Sequence, residues 1–192
     1  MEEGADHVSG AACLEVKLAG IRLRNPLVLA SGILGTRRAI LRRVALGGAG
    51  AVTIKSLTLE ERGGHKNPAI LTFDGGMINA VGYSNPGVAA AMAEYANLAD
   101  VPAPVIGSVV GRDAAEFAEL AERVEALPFA ALELPLSCPH TPGYGTLAGH
   151  ATPEATESIA RAVRAKTRKP LFIKLSPNAP GIGDLAKAAE AG

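Results

Sequence analysis

The residues of this sequence that are best suited to chemistry stand at the ends of predicted β-strands. Each apolar, strand-like segment is followed at once by small polar or charged residues. In parallel α/β folds the carboxyl ends of the strands meet at one face, where such proteins place their chemistry. We therefore expect one shared site that contains Ser31 with Gly32, Lys55 with Ser56, Ser108, Ser137 with Cys138, and Lys174 with the segment 176–178.

Cys138 is the candidate base or nucleophile at this site. It follows the apolar run FAALELPL, residues 129–136, and Pro139 behind it cannot donate to a strand ladder, so the strand is expected to stop there. A thiol whose pKa lies near neutrality can accept a proton or attack an electrophile. The alternative is that Cys138 is buried and inert, as an isolated cysteine often is. His140 is either the partner of Cys138 in this chemistry or a loop residue without a role.

Lys55 and Lys174 close the second and the fifth predicted strand. An unpaired ammonium inside a barrel mouth costs on the order of several kcal/mol, and an anionic ligand would offset that cost. The alternative is that both side chains extend over the rim into solvent. No set of Cys and His residues has zinc-ligand spacing, so we expect no metal.

The elements that must position these residues alternate between strand and helix five times. The predicted strands cover 27–30, 51–54, 104–110, 129–136 and 171–175, and the predicted helices cover 37–46, 88–98, 114–127, 153–167 and 183–191. Right-handed crossovers then require a mostly parallel sheet, either doubly wound or part of a barrel. The GxGxxG fingerprint is absent after the first strand, which weighs against a dinucleotide-binding sheet. A complete barrel needs about 250 residues and eight units. The pattern therefore favours an α/β fold of the (β/α)8 TIM-barrel type, truncated after its fifth unit.

Segments outside this alternation divide the chain further. Residues 1–12 are expected to be a disordered leader, and residues 13–192 a partial barrel domain. A β-hairpin is predicted over 14–23. Residues 57–86 form a long insertion, with a short hairpin near 77–81, and insertions of that length tend to be functional.

Two helices carry a clear start signal. Asp113 precedes the third predicted helix, and its carboxylate is well suited to an N-cap. Thr152 precedes Pro153, which is favoured at the first position of a helix. Both helix starts are therefore predicted to lie at these residues.

Composition excludes several classes of function. The chain has 192 residues, of which 48% are hydrophobic, enough for one domain with a sizeable core. Nineteen basic and nineteen acidic residues cancel, so we expect neither a nucleic acid partner nor a membrane surface. No apolar run reaches the roughly 20 residues of a membrane span. Only Cys13 and Cys138 are cysteines, which is typical of a reducing cytoplasm.

Motifs spread along the chain resemble those of one enzyme family. In order, they are LEVKLAGIRLRNPLVLASG, TIKSLTLEERGGHKNP, GGMINAVGYSNPG, SCPH and KPLFIKLSPN. Together they resemble the class 1 dihydroorotate dehydrogenases, especially the NAD-linked 1B branch. The resemblance implies an eight-stranded barrel that holds FMN at its C-terminal mouth. It also implies oxidation of dihydroorotate to orotate in pyrimidine (UMP) biosynthesis.

The resemblance implies roles for individual residues. Cys138 matches the family's base, which takes the C5 proton while the C6 hydride passes to FMN. The implied substrate-binding residues are Lys55, Asn79, Ala80, Val81, Gly82 and Tyr83. The implied FMN-binding residues are Ser31, Lys55, Ser56, Ser108 and Lys174. Of these, Lys174 would lie at the flavin edge that gains negative charge on reduction.

The same resemblance implies an assembly. Family members of this branch are homodimers, or heterotetramers with an iron–sulfur flavoprotein subunit that carries FAD and a 2Fe-2S cluster. The substrate and product would be dihydroorotate and orotate. Electrons would then pass through the partner subunit to NAD.

The sequence departs from the family pattern at several points. Pro135 and Ser108 stand where the family usually has Asn, and His140 where it often has Asn. Family members continue through three more strands, of which the last two normally hold the FMN phosphate. Two alternatives therefore stay open. One is an enzyme like the dihydropyrimidine dehydrogenases, which also carry a Ser-Cys-Pro turn, and the other is a catalytically silent barrel fragment.

Overall fold

A computed structural model describes residues 14–138, 141, 143–145 and 149–192. The predicted leader, Cys13 and His140 lie outside the described residues. In chain order the elements are β1 (Val16–Leu18), β2 (Ile21–Leu23), β3 (Val28–Leu29), α1 (Arg38–Leu46), β4 (Ala51–Thr53), β5 (Ile70–Phe73), β6 (Gly76–Asn79), α2 (Gly87–Glu94), β7 (Val105–Ser108), α3 (Ala114–Val124), β8 (Ala131–Pro135), α4 (Pro153–Arg164), β9 (Leu171–Lys174) and α5 (Ile182–Ala191).

Five strands form one parallel sheet in the order β3-β4-β7-β8-β9. Each strand lies beside the one that precedes it in the alternation, so the order never reverses. A doubly wound sheet reverses its strand order at a switch point, whereas a barrel adds its strands in one direction. The predicted α/β fold of the barrel type is confirmed, and β3 and β9 lie at the two edges of this five-stranded sheet.

The outer face of the sheet packs against the helices. Side chains alternate between the two faces of a strand, so every second residue of β8 points outward. Leu132, Leu134 and Leu136 are fully or almost fully buried there, in one apolar core with residues of α3 and α4. That core includes Phe117, Leu120, Val124, Ile159 and Val163. The helices are therefore held against one face only.

The inner face changes character along the strands. At its amino-terminal end a small apolar cluster joins Ala51, Ile106 and Ala131 to Leu23 of the β1–β2 hairpin. The same face continues, two residues further along β7 and β8, with Ser108 and Glu133. The inner face is thus packed with apolar side chains at the amino-terminal end of the strands and carries polar side chains toward their carboxyl ends.

Two predicted elements need correction. The hairpin expected near residues 77–81 is formed by β5 and β6, and it turns at Asp74 and Gly75. Asp-Gly is a strong hairpin signal because the turn needs positive φ, and Gly75 has φ of +85°. Helix α2 ends at Glu94, whereas the sequence predicted its end at residue 98. Just beyond the helix, the side-chain oxygen of Asn97 accepts a hydrogen bond from the backbone N–H of Ala99, and this contact favours a turn over a further helical turn.

The predicted helix starts are confirmed. The carboxylate of Asp113 accepts a hydrogen bond from the Glu116 N–H at 2.9 Å. The hydroxyl of Thr152 accepts from the Ala155 N–H at 3.3 Å. Both contacts satisfy N–H groups that have no partner within the helix.

Asn85 anchors the long insertion to the sheet and to α2. Its side-chain amide donates to the Tyr83 carbonyl at 2.7 Å and to the Thr58 hydroxyl at 2.9 Å. Its side-chain oxygen accepts from the N–H of Gly87, the first residue of α2, at 2.9 Å. Asn85 is 5% exposed, so water could not take the place of its side chain as the partner of these buried groups. The insertion is therefore tied down at the point where it returns to the barrel.

We predict that Asn85→Ala lowers the free energy of unfolding by roughly 2–3 kcal/mol, because it leaves several buried polar groups unpaired. Urea unfolding followed by circular dichroism measures the change. Asn97→Ala removes a comparable side-chain contact at an exposed turn and serves as the control. Equal effects of the two substitutions would show that Asn85 is not a special anchor.

Candidate active site at the strand ends

A cavity of about 300 Å³ opens at the carboxyl ends of the parallel strands. Residues at the ends of β3, β4, β8 and β9 or just after them form part of its wall, and the end of β6 with the segment that follows it forms the rest. Its lining residues are Ser31, Gly32, Ile33, Lys55, Ser56, Asn79, Ala80, Val81, Gly82, Tyr83, Pro135, Ser137, Cys138 and Lys174.

The structure brings together the sequence-predicted site residues except Ser108 and the segment 176–178, which do not line the cavity. Ser108 is completely buried beneath it. Its hydroxyl lies 2.9 Å from the Ser56 hydroxyl, which does line the cavity. Ser108 therefore reaches the site through Ser56.

Lys55 is half-buried at the centre of this cavity. Its ammonium donates to the Gly82 carbonyl at 3.0 Å and lies 5.7 Å from the centre of the Tyr83 ring. Burial lowers the pKa of Lys55 below its ordinary value, Cys138 raises it again, and Lys174 lowers it. A cation held in this way against a carbonyl and a ring is suited to an anionic ligand.

Lys174 has a different environment. Its ammonium lies 2.8 Å from an oxygen of Glu133, and the two side chains are 40% and 13% exposed. The alternative that Lys174 simply extends over the rim is therefore wrong, because an ion pair on the inner face holds it. Glu133 is not among the residues that the sequence pattern predicted for the site. The available signal was its position as the one charged residue in the apolar run 129–136.

A chain of hydrogen bonds connects the ends of the five parallel strands. The Ser31 and Ser56 hydroxyls are 3.1 Å apart, and Ser56 contacts Ser108 in turn. Ser108 donates to the Glu133 carboxylate at 3.1 Å, and the same oxygen accepts from Lys174. The groups in this chain come from the ends of β3, β4, β7, β8 and β9 or from the residues just after them, so it fixes the strand ends relative to one another.

Cys138 stands on the loop after β8 and is half-buried. Its thiol donates to the Thr141 hydroxyl at 3.6 Å. Gly145 packs against its backbone so closely that a Cβ there would lie 2.5 Å from the Cys138 carbonyl oxygen, and Gly145 has φ of +54°. The loop thus folds back and holds the sulfur at the cavity wall. Thr141 and Gly145 were not singled out from the sequence.

Tyr83 connects the insertion to the loop that follows β8. Its ring is 6% exposed and packs against Tyr144 with ring centres 5.5 Å apart. Burial raises the pKa of the Tyr83 phenol strongly, and the nearby Cys138 thiol raises it further. The phenol is therefore neutral at physiological pH and lies close to the thiol.

Two negative findings apply to the part of the chain that the structure describes. There, no group of three His, Cys, Asp or Glu side chains is placed to bind a metal ion. No described helix is both long enough and apolar enough to cross a bilayer.

The strands are added in one direction, and a cavity opens at their carboxyl ends, which is where α/β-barrel proteins usually bind their ligands. These two features define a protein of the α/β-barrel class. The family model described as dihydroorotate dehydrogenase matches residues 13–192. The chain belongs to the dihydroorotate dehydrogenase family.

Similar proteins agree with this assignment. The chain is 41% identical over 183 residues to the "Dihydroorotate dehydrogenase B (NAD(+)), catalytic subunit" of Methanocaldococcus jannaschii, covering 93% of this chain and 59% of that protein. It is 46% identical over 179 residues to the protein of the same name from Pyrococcus horikoshii, covering 93% and 58%. This chain therefore spans about three fifths of the length of these curated relatives.

A solved structure supports the fold. The crystal structure of DHODH from Eimeria tenella in complex with ferulenol superposes with a TM-score of 0.74 at 19% identity. The match covers 99% of this chain and 60% of that one. At this identity the likeness concerns the fold alone.

We predict that Lys55→Met raises the free energy of unfolding of the ligand-free protein at neutral pH, because it removes an ammonium that burial disfavours. The pKa of Lys55 is lower in the folded chain than its ordinary value of 10.5. At pH values between the pKa of Lys55 in the folded chain and 10.5, Lys55 holds its proton more strongly in the unfolded chain than in the folded one. In that range the free energy of unfolding of wild type therefore rises with pH relative to that of the variant. The difference should therefore shrink as pH approaches 10.5.

Urea unfolding of both proteins at neutral pH and at about pH 10 measures this effect. Lys187→Met is the control, since the Lys187 side chain is 81% exposed and lies away from the cavity. A Lys55→Met variant that is less stable than wild type at neutral pH would contradict the interpretation of Lys55 as a strained, ligand-directed cation.

Proposed function

We propose that this chain provides the substrate site of an FMN-dependent, NAD-linked dihydroorotate dehydrogenase of pyrimidine biosynthesis. One observation carries the proposal: Cys138, Lys55 and the segment 79–83 lie around a single cavity although they come from distant parts of the chain. Membership of the family and the names of the relatives support it.

The residues around the cavity suit a flavin. Two ammonium groups and the hydroxyls of Ser31 and Ser56 offer donors to a ring system rich in carbonyl and nitrogen acceptors. A volume of about 300 Å³ is at the lower end for small-molecule sites and suits a flat ring. Ser31, Lys55, Ser56 and Lys174 would hold the FMN. When bound, FMN would supply the two-electron acceptor for the hydride that leaves C6 of dihydroorotate.

Cys138 acts as the base in this proposal. Its thiolate takes the proton from C5, and the electrons of the broken C5–H bond form the C5=C6 double bond as the C6 hydride departs. The Thr141 hydroxyl, 3.6 Å from the sulfur, orients the thiol. The Lys55 ammonium attracts the thiolate form, as the effect of Cys138 on the pKa of Lys55 indicates. The close approach of Gly145 to the Cys138 backbone keeps the half-buried sulfur at the cavity wall.

Lys55 and the insertion orient the substrate. Dihydroorotate carries a carboxylate, and the half-buried Lys55 ammonium supplies the opposite charge. Asn79 contributes an amide that can pair with the carboxylate or the pyrimidine ring. Asn85 holds the insertion so that residues 79–83 remain at the cavity.

The partners follow from the same proposal. The relatives are named catalytic subunits of NAD(+) enzymes. We therefore propose a homodimer or a heterotetramer with a partner subunit that carries FAD and a 2Fe-2S cluster and passes electrons to NAD.

Pro135 favours a second candidate for the substrate. It lines the cavity and offers no amide or N–H donor where the family pattern has Asn. A site with fewer donors discriminates less strictly among pyrimidines, because discrimination depends on pairing the polar groups of the substrate. Oxidation of another dihydropyrimidine by the same base is the alternative.

We predict that Cys138→Ser slows reduction of bound FMN by dihydroorotate by about 10²–10⁴-fold, the usual contribution of a general base. FMN affinity should stay the same, because the implied flavin contacts come from other residues. Anaerobic stopped-flow absorbance of the FMN-loaded protein measures the rate, and equilibrium dialysis measures the affinity.

Cys13→Ser is the matched control at the other cysteine of the chain and should leave the rate unchanged. Reduction of FMN by the Cys138→Ser variant at the wild-type rate would remove Cys138 as the base. Reduction of wild type by another dihydropyrimidine, but not by dihydroorotate, would keep the mechanism and replace the substrate.

A further inference from the structure

Glu133 has an unusual set of contacts for a carboxylate inside a β-sheet. One of its oxygens accepts from the Lys174 ammonium at 2.8 Å and from the Ser108 hydroxyl at 3.1 Å. Its side chain is only 13% exposed. A carboxylate is rarely buried without a specific partner, because removing it from water is costly. The sheet thus holds the Glu133 carboxylate on its inner face, although an apolar side chain would pack there at a lower cost.

The strand register explains how these three side chains meet. Glu133 lies opposite Ser108 of β7 and opposite Phe172 of β9. Lys174 is two residues beyond Phe172, so it points to the same face of the sheet. Glu133 therefore lies two residues closer to the amino-terminal end of the strands than Lys174, and its carboxylate contacts the ammonium from that side.

Lys174 needs such a contact to stay at the cavity. It is on β9, an edge of the sheet, and 40% of its side chain is exposed. A lysine side chain in that position gains conformational freedom by extending into solvent. Lys55 repels it as well, since Lys174 lowers the pKa of Lys55. Glu133 opposes both tendencies.

We propose that Glu133 is a positioning residue that fixes the Lys174 ammonium at the cavity and connects it, through Ser108, to Ser56 and Ser31. The contact between Glu133 and Lys174 is a feature of the structure. Its role at a ligand site rests on the proposed function, in which Lys174 faces a bound flavin. The serine chain would then keep the cation and the flavin-contacting hydroxyls in fixed relative positions.

The test is Glu133→Gln, which preserves shape and the acceptor oxygen but removes the charge. Acetylation of individual lysines by acetic anhydride, mapped by mass spectrometry, should be about three- to fivefold faster at Lys174 in the variant. Labelling of Lys169 and Lys187 should not change. A purely structural role of Glu133 would instead increase labelling at all lysines through general loosening.

Glu122→Gln is the matched control. Glu122 pairs with Lys166 at 3.1 Å, and Lys166 is 42% exposed, close to the 40% of Lys174. This variant should leave Lys174 unchanged. Unchanged labelling of Lys174 in Glu133→Gln, or an equal rise at Lys169 and Lys187, would overturn the proposal.

FMN binding gives a second readout. If Glu133 acts through Lys174, the dissociation constant of FMN for Glu133→Gln/Lys174→Met should equal that for Lys174→Met alone. Additive losses would overturn the proposal. If wild type binds no FMN, the proposed function fails for this chain, and the labelling experiment still decides the role of Glu133.

Discussion

The site depends on the electrostatic balance between two ammonium groups and one carboxylate on the inner face of an open sheet. Lys55 and Lys174 would repel each other at the mouth of the half-barrel, and Glu133 offsets that repulsion from below. Three serine hydroxyls extend the arrangement to the opposite edge of the sheet. The strand ends are therefore coupled through polar contacts, while apolar packing secures the amino-terminal end and the helices.

Local chemistry made part of the fold predictable. Asp113 and Thr152 could be assigned as N-caps because capping depends only on neighbouring residues. The five strands followed from short apolar runs bounded by Gly, Pro and polar residues. The hairpin of the insertion lies earlier in the sequence than predicted, because its position is set by the turn at Asp74-Gly75.

The site was predictable only where it depends on strand ends. Lys55, Cys138 and Lys174 follow strands, so convergence could be expected without knowing the register. Glu133 and Ser108 depend on the register between β7, β8 and β9, which a single sequence does not determine. Residues 79–83 reach the cavity because Asn85 and Tyr83 fold the insertion back, and such long-range contacts leave no periodic signal. Only the resemblance to a family indicated them.

The most direct test of the central claim is equilibrium binding of FMN to the 192-residue chain and to its Lys55→Met and Lys187→Met variants. If the strand-end cavity is the flavin and substrate site, wild type and Lys187→Met bind FMN with equal affinity and Lys55→Met binds it much more weakly. A folded wild-type chain that leaves FMN free, or a Lys55→Met variant that binds it as wild type does, would contradict the account.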